Sequence, residues 1–233
     1  MERALAGQGS SMSEQTNGKG ARRSPRGEAA RKAILQSATR MFSQGGFNSA
    51  SIADIAKDVG MTQAGMLHHF PSKAALLLAV LLEREARNEI ETEAERAKGF
   101  DGLTVFLHTL RNNDRTPALV QLMTVLAAES IPDTHPAHEW LEERYETVVK
   151  VTIDHVAPMV DVKSLPPGVT VETLVRWLVG LADGLRVQWL YDQSSVSREE
   201  SLAQFYDTVM RPVLKEPYRS YSWVANLRQE ASQ

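Results

Sequence analysis

Apolar residues recur with helical spacing along the chain from residue 28 onward. They return every three to four positions, and no segment shows the sustained alternation of a half-buried strand. Clusters of Pro, Gly and Ser separate the periodic segments. The pattern therefore predicts an all-α fold with about nine helices. Seven of them fall at 28–44, 73–97, 102–113, 117–130, 136–158, 170–191 and 198–214.

The remaining two predicted helices are short and lie between residues 51 and 69. Ser51 stands at an N-cap position, with Asp54 three residues later in a near match to the capping box. Gly60 follows the last apolar position, where a left-handed residue ends a helix, and Thr62 can cap the next helix. The first helix presents one apolar face, made of Ile52, Ile55, Ala56 and Val59. Two short helices around a turn with Gly form the helix-turn-helix, whose second helix enters the DNA major groove.

Charge is distributed unevenly along the chain. The net charge of −3 alone argues against a nucleic-acid partner. However, residues 1–80 carry 10 Lys and Arg against 5 Asp and Glu, whereas residues 81–233 carry 16 against 24. The basic end contains the helix-turn-helix, so phosphates would attract that end and repel the rest. A basic tail without a partner is the alternative interpretation.

Composition narrows the class of protein. The chain has no cysteine, which excludes disulfides and thiolate metal sites, and no apolar run long enough for a membrane span. The polar N-terminus lacks the apolar segment of a secretory signal. We therefore expect a cytoplasmic protein with no membrane partner. No GxSxG, HExxH, P-loop or GxGxxG motif is present, so we predict neither an enzyme nor a cofactor.

The segment IADIAKDVGMTQAGMLHHFPSKAALL resembles the DNA-binding domain of the TetR family of bacterial transcription regulators. The resemblance covers about residues 28–82 and is architectural beyond them. It implies a homodimer that binds a pseudo-palindromic operator in double-stranded DNA, as a repressor that a small-molecule ligand releases. The matching positions are Asp54, Ile55, Ala56, Gly60, Thr62, His69, Phe70, Ser72 and Lys73.

Three regions follow from this resemblance and from the composition. Residues 1–27 are a disordered basic extension, rich in Gly, Ser, Gln and Asn, with Arg22, Arg23 and Arg26 as a candidate basic arm. Residues 28–73 are the helix-turn-helix DNA-binding domain, and residues 74–233 the helical ligand-binding and dimerisation domain. The rival hypothesis is a helical enzyme or partner-binding protein whose helix-turn-helix is only scaffold.

The resemblance also implies DNA contacts. It places Ser51 and Lys73 on phosphates, and it places a set of recognition-helix residues against the bases and backbone. Gln63 is the best candidate for direct reading, because its amide can bond adenine at two atoms. Leu67 stands where many members carry a phosphate-binding Tyr, so it either touches a thymine methyl or packs. The recognition set is Thr62, Gln63, Ala64, Gly65, Leu67 and His68. Few of these side chains can read bases, so we expect DNA shape to contribute to the specificity.

The second domain offers candidates for a pocket and a dimer face. Helical bundles place ligands between helices, and ordinary core packing is the alternative for each pocket candidate. The pocket candidates are His108, Met123, Trp140, His155 and Trp177. Apolar stripes on the two last predicted helices can form a four-helix bundle with a second copy, or else face the core of one chain. These stripes comprise Leu174, Leu178, Leu181, Leu185, Trp189, Leu202, Phe205 and Val209.

One further constellation concerns metals. His135, His138 and Glu142 have the spacing of a shared helix face, and imidazole and carboxylate are metal ligands. However, His135 precedes Pro136, which disfavours helical conformation at His135. We therefore predict no metal site there.

Overall fold

The structure is a computed structural model that describes residues 25–232, and it confirms the all-α fold class. The described residues form ten α-helices and no β-strand. They are α1 (Pro25–Ser49), α2 (Ile52–Asp58), α3 (Gln63–His69), α4 (Lys73–Ala97), α5 (Gly102–Asp114), α6 (Pro117–Glu129), α7 (His138–Val156), α8 (Val171–Tyr191), α9 (Arg198–Phe205) and α10 (Trp223–Glu230). Residues 1–24 of the predicted extension, with Arg22 and Arg23, lie outside the described residues. Its last three residues, including Arg26, belong to α1, so the predicted boundary at residue 27 was wrong.

No single helix among residues 25–232 is long and apolar enough to cross a membrane. Only the pair α3 and α4, which meet at a bend of 52°, reaches that length and composition when the two are taken together.

The end of the chain differs from the sequence prediction. The helix predicted over 198–214 is α-helical only to Phe205, continues as a π-helical turn over Tyr206–Met210 and ends in a 3₁₀ turn over Arg211–Val213. Pro212 explains the ending, because proline has no N–H to donate and its ring clashes with the preceding turn. The helix α10 was not predicted at all, since its eight residues carry too few apolar positions for a clear period.

A buried cluster that we call the N-terminal core joins the helix-turn-helix to helices far along the chain. From α1 to α4 it takes Ile34, Leu35, Ala38, Phe42, Ala50, Ile55, Ala56, Met66, Phe70, Leu76, Leu77, Val80 and Leu81. From α6, α7 and the segment between them it takes Leu122, Met123, Leu126, Ala137 and Leu141. The packing of α1 along α6 is the most extensive helix contact in the described chain. The core of the DNA-binding region therefore crosses the predicted boundary at residue 73.

The remaining helices share a second cluster, which we call the C-terminal core. It draws buried residues from α5, α7, α8, α9 and α10, with Leu107, Leu178 and Tyr206 among those fully buried. Trp223 at the start of α10 is also fully buried, and its indole Nε1 donates a hydrogen bond to Thr104 Oγ1 at 3.2 Å. This bond satisfies the polar atom of a large buried aromatic side chain and fixes α10 against α5.

Glu129 ties the end of α1 to the end of α6. Its carboxylate accepts hydrogen bonds from Phe47 N at 2.7 Å, Asn48 N at 3.1 Å and Asn48 Nδ2 at 2.9 Å. The sequence predicts that the first helix ends at Gly45-Gly46. Gly46 is non-helical (φ 73°, ψ −179°), and beyond this bend a short further helical segment, included in α1, runs to Ser49. A Cβ on Gly46 would lie 2.6 Å from a Glu129 carboxylate oxygen. The bend at glycine therefore opens the backbone N–H groups to this carboxylate.

We expect Gly46→Ala to destabilise the protein much more than Gly60→Ala. Gly60 also has a positive φ (68°), but an added Cβ there meets nothing within 4 Å, so only backbone strain of about 1 kcal/mol applies. At Gly46 the backbone region is almost exclusive to glycine and the Glu129 bonds would be displaced, which together cost about 3 kcal/mol or more. Urea denaturation followed by circular dichroism measures the free energy of unfolding of both variants. An equal loss of stability in Gly46→Ala and Gly60→Ala would contradict this explanation of the bend.

Candidate functional site

The helix-turn-helix has the local bonds that its sequence predicts. Ser51 Oγ accepts from Asp54 N at 3.0 Å, and Thr62 Oγ1 accepts from Gly65 N at 3.1 Å, so each hydroxyl caps its helix. Gly60 adopts φ 68° in the turn between α2 and α3. These caps and the left-handed glycine end one helix and start the next within residues 59–62.

The recognition helix α3 presents its predicted DNA-facing residues to solvent. Met66 is fully buried in the N-terminal core and fixes the orientation of the helix. Gly65, which has no side chain, is partly covered. The exposed positions are Thr62, Gln63, Ala64, Leu67 and His68. The face opposite Met66 is therefore free to approach another molecule.

Leu67 is an exposed large apolar side chain on this face, with 38% of its surface accessible. Its neighbour His68 stacks edge-on against the His69 ring, with 6.0 Å between ring centroids. Leu67 is therefore only partly covered by the chain, and both roles expected from the sequence, packing and contact with a thymine methyl, stay predictions.

Lys73 has an intramolecular role that the sequence did not reveal. Its Nζ donates to Ala50 O at 3.0 Å and Asn48 O at 3.3 Å, and it lies 4.4 Å from the centroid of the Phe47 ring. The ammonium thereby satisfies carbonyls that follow the bend in α1. An ammonium has three N–H donors, so one remains for the predicted phosphate contact.

Ser51 is also engaged within the chain. Besides capping α2, its hydroxyl donates to Asp54 Oδ2 at 2.7 Å. A phosphate would have to compete with this carboxylate for the hydroxyl proton. The predicted contact of Ser51 with phosphate is therefore less favoured by the geometry than that of Lys73.

The helix-turn-helix region keeps a positive balance of charge in the structure. Residues 25–73 carry six Lys and Arg against three Asp and Glu. One of the acids, Asp58, accepts hydrogen bonds from Ser37 at 2.6 Å and Arg40 at 2.5 Å. The Ser37 bond and the Arg40 charge hold the pKa of Asp58 below its usual value, so it stays ionised and neutralises Arg40.

A cavity of about 410 Å³ lies between α4, α5, α6, α7 and α8, a size that suits a small organic molecule. Of the five pocket residues predicted from the sequence, Met123 and His155 line it. The other three are placed elsewhere. His108 is buried and its Nδ1 bonds Glu95 Oε2 at 2.7 Å, Trp140 packs against the N-terminal core, and Trp177 is 52% exposed. Their assignment to the pocket is therefore corrected.

The cavity contains a group of residues that sequence reasoning missed. Five arginines line it, namely Arg84, Arg96, Arg144, Arg186 and Arg198. Arg84 lies in the segment EREARNEIE, whose density of charge indicated a mostly exposed surface. In the structure only 7% of Arg84 is accessible, because its side chain lies at the wall of the cavity that α5, α6, α7 and α8 also line. No period in the sequence distinguishes it from the exposed charges around it.

The predicted dimer face also needs correction. Leu174, Leu178, Leu185, Trp189 and Leu202 are buried in the chain itself, so a second copy cannot contact them. Leu181 and Phe205 are half-buried against the C-terminal core, and Val209 is 53% exposed. The predicted stripe includes residues that face the core and residues at the edge of that face. Hydrophobicity alone does not distinguish the two groups.

The exposed face of α8 carries a different set of residues. Trp177, Val187 and Tyr191 are 52%, 41% and 90% accessible, and they flank Gly180 and Gly184 on the same side of the helix. A Cβ on either glycine would meet nothing within 4 Å. These five residues therefore form an exposed face of α8 that no other part of the described chain covers.

The histidines considered as metal ligands have bonds within the chain. His135 precedes α7, is buried, and its Nδ1 accepts from Ala137 N at 3.1 Å. His138 Nδ1 bonds Ser130 O at 2.9 Å. Burial lowers the pKa of His135, which favours its neutral form as an acceptor. Within residues 25–232 no three His, Asp or Glu side chains come together as a metal site would require.

Comparison with known proteins identifies the helix-turn-helix. Residues 34–80 match the family model described as bacterial regulatory proteins, tetR family. The HTH-type transcriptional regulator RutR of Escherichia coli strain K12 is 45% identical over 53 residues, which are 23% of this chain and 25% of RutR. The curated relatives are matched over less than a third of their own length. These proteins are named as HTH-type transcriptional regulators.

Solved structures share the whole architecture at low identity, which supports the fold alone. NalD of Pseudomonas aeruginosa, titled the secondary repressor of the MexAB-OprM multidrug efflux pump, aligns with a TM-score of 0.62 and 21% identity, over 81% of this chain and 98% of NalD. A transcriptional regulator from Saccharomonospora viridis, solved in complex with choline, aligns with a TM-score of 0.60 and 21% identity, over 81% and 100% of the two chains.

We expect Lys73→Met to lower the free energy of unfolding by about 1–2 kcal/mol, because two carbonyls lose a charged donor while the apolar stem is kept. Lys57→Met, at an exposed position of α2, is the matched control and should change stability by less than about 0.5 kcal/mol. Urea denaturation of both variants tests this. Equal stability of the two would show that the Lys73 bonds contribute nothing.

Proposed function

The N-terminal domain of this chain belongs to the TetR family of bacterial regulatory proteins, and on that premise we propose that the chain represses transcription as a homodimer on a pseudo-palindromic operator. The observation that carries the proposal is the orientation of α3. Buried Met66 holds it against the core, so that Gln63, Leu67 and His68 project from a domain with a surplus of positive charge.

The exposed residues of α3 suggest how bases are read. The amide of Gln63 has the donor and acceptor to bond adenine, and Leu67 offers an apolar surface to a thymine methyl. Ala64 and Gly65 carry little or no side chain, which allows the helix to lie close to the base edges. Because so few side chains read bases, we propose that sequence-dependent DNA shape supplies part of the specificity.

The homodimer is proposed to form through the exposed face of α8. Trp177, Val187 and Tyr191 would be covered by a second copy, and Gly180 and Gly184 would allow the two helices to approach closely. Val209, on the π-helical turn that follows α9, is a further exposed apolar residue that a second copy could cover. A two-fold axis here would set the distance between the two copies of α3, which must match one helical turn of DNA, about 34–36 Å.

A small molecule in the cavity is proposed to release the operator. The similarity to a regulator solved with choline supports a ligand of this kind, although that ligand belongs to the other protein. In this chain α4 and α6 line the cavity, and both also contribute to the N-terminal core. A ligand that binds more tightly when these helices are displaced would shift the population away from the DNA-binding geometry.

We expect selection of duplexes from a random DNA pool by the full chain to enrich an inverted repeat. An enriched repeat with two half-sites supports a dimeric regulator, because each protomer contributes one recognition helix. Absence of any enrichment at low salt would contradict the proposal and favour a protein whose helix-turn-helix is scaffold only.

In the same selection, Gln63→Ala should relax the preference at one position in each half-site while leaving the repeat recognisable. A bidentate contact to a base discriminates by about 1–3 kcal/mol, so the loss should be visible in the enriched sequences. Gln36→Ala, at an exposed position of α1, serves as the control and should enrich the parental repeat. An unchanged preference in Gln63→Ala would remove this residue from base reading.

Gly184→Glu should dissociate the dimer without unfolding the chain. Two glutamate charges would face each other across the two-fold axis and repel. Within one chain, replacing a glycine at an exposed position of a helix gains about 1 kcal/mol of helix propensity. Sedimentation equilibrium gives the oligomeric state, and thermal melting gives the stability of the monomer. Ala94→Glu, exposed on α4, is the control that should remain dimeric. A dimeric Gly184→Glu would place the interface elsewhere.

A further inference from the structure

Arg84 is a buried cation with weak partners. Only 7% of it is accessible, and its single ion pair joins Nη1 to Glu85 Oε2 at 3.5 Å. The same Glu85 oxygen lies 3.5 Å from Arg144 Nε, so one partly exposed carboxylate is shared by two guanidinium groups. The Nε of Arg84 is buried and has no hydrogen-bond partner. A buried guanidinium ordinarily has several short bonds, and this one has none.

The other acids around the cavity are committed to other groups. Asp183 Oδ1 lies 3.2 Å from Arg186 Nη1, and its Oδ2 accepts from Tyr145 OH at 2.9 Å. Arg198 pairs with Asp114. Glu89 also lines the cavity, but its side chain is exposed to solvent. No acid of the cavity wall is therefore left to pair closely with Arg84.

The positive charge at this point is in excess by one. Arg84 and Arg144 share the carboxylate of Glu85, whereas Arg186 pairs with Asp183, Arg198 with Asp114 and Arg96 with Glu93. Burial first, and then the charge of Arg144, lowers the pKa of Arg84 to about 10. At neutral pH Arg84 still carries its charge, so the protein holds an unbalanced cation against a cavity wall.

The rest of the cavity wall is largely apolar. Its apolar side chains come from α5, α6, α7 and α8 and include Val105, Phe106, Leu110, Val120, Met123 and Val148. A ligand that fills this space must therefore combine an apolar body with a group that suits a guanidinium. Guanidinium groups bind carboxylates through paired, charge-assisted hydrogen bonds.

We propose that the cavity binds an amphipathic organic monocarboxylate, with its head group held by Arg84 and Arg144 and its apolar body between α5, α6 and α7. This inference rests on the proposed function, in which the cavity is the effector site. One ligand charge balances the one surplus cation, whereas a phosphate dianion would overcompensate it and would meet the carboxylates of Glu85 and Asp183. An uncharged or cationic ligand would leave Arg84 unpaired.

Binding of matched probes to the full chain, measured by calorimetry without DNA, tests the proposal. The probes are octanoate, octan-1-ol and octylamine, together with 4-phenylbutyrate and 4-phenylbutan-1-ol. The carboxylate and the alcohol are thereby compared on two body shapes. We expect at least one carboxylate to bind at least tenfold more tightly than its alcohol, and octylamine not to bind. Arg84→Gln and, separately, Arg144→Gln should reduce the ratio of the two affinities to less than threefold.

The controls separate this role from a structural one. Arg228→Gln replaces an exposed arginine of α10, so this variant should keep the preference for the carboxylate. Arg84→Gln should melt at or above the temperature of the parent chain in the absence of ligand, because it removes a desolvated charge whose only partner remains partly hydrated. Arg144→Gln, at a more accessible position, tests the head-group site if Arg84→Gln fails to fold.

Three results would overturn the proposal. They are an equal affinity for carboxylate and alcohol, no binding of either carboxylate, and a preference for the carboxylate that survives both substitutions. Since no DNA is present, these results leave the proposed operator binding unaffected. Conversely, a failure to enrich a DNA repeat would count against the proposed function without changing the ligand class of the cavity.

Discussion

The DNA-binding region of this chain does not have a hydrophobic core of its own, and this constraint shapes the rest of the molecule. Its buried residues pack against Leu122 and Leu126 of α6 and against Leu141 of α7. Glu129 adds charged hydrogen bonds from the end of α6 to Phe47 and Asn48. The orientation of α3 is therefore set partly by helices that lie more than fifty residues further along the chain. A change in α6 cannot leave the DNA-binding surface unaffected.

The helix α4 extends this constraint to the cavity. Leu77 and Leu81 pack into the N-terminal core, and Arg84, one turn further along the same helix face, reaches the cavity wall. The helix α4 therefore packs into the N-terminal core and also places the poorly paired Arg84 at the cavity wall. A ligand that pairs with this cation would change the forces on α4 at a point close to the core. We propose that such a short path, rather than a long relay, couples the two sites.

The sequence predicted what local chemistry determines. The caps at Ser51 and Thr62 and the glycine at position 60 identify the helix-turn-helix without reference to the rest of the chain. It did not predict features that arise only when distant helices meet. Burial of Arg84 depends on the helices that enclose the cavity with α4. The apolar stripe of α8 was assigned to a dimer although it mostly faces the core. The Lys73 bonds likewise depend on the direction that the chain takes after Gly46, which the predicted helix end at Gly45-Gly46 does not specify.

Hydrogen exchange of the full chain, free and bound to its selected duplex, tests the shared core most directly. Coupling between two sites is reciprocal, so DNA must stabilise the helices through which a ligand would act. We expect slower exchange in α3 on binding DNA, and also in α6 and in the part of α4 around Arg84. Protection confined to residues 25–73, with α6 unchanged, would contradict the account, because the DNA-binding domain would then respond independently of the cavity.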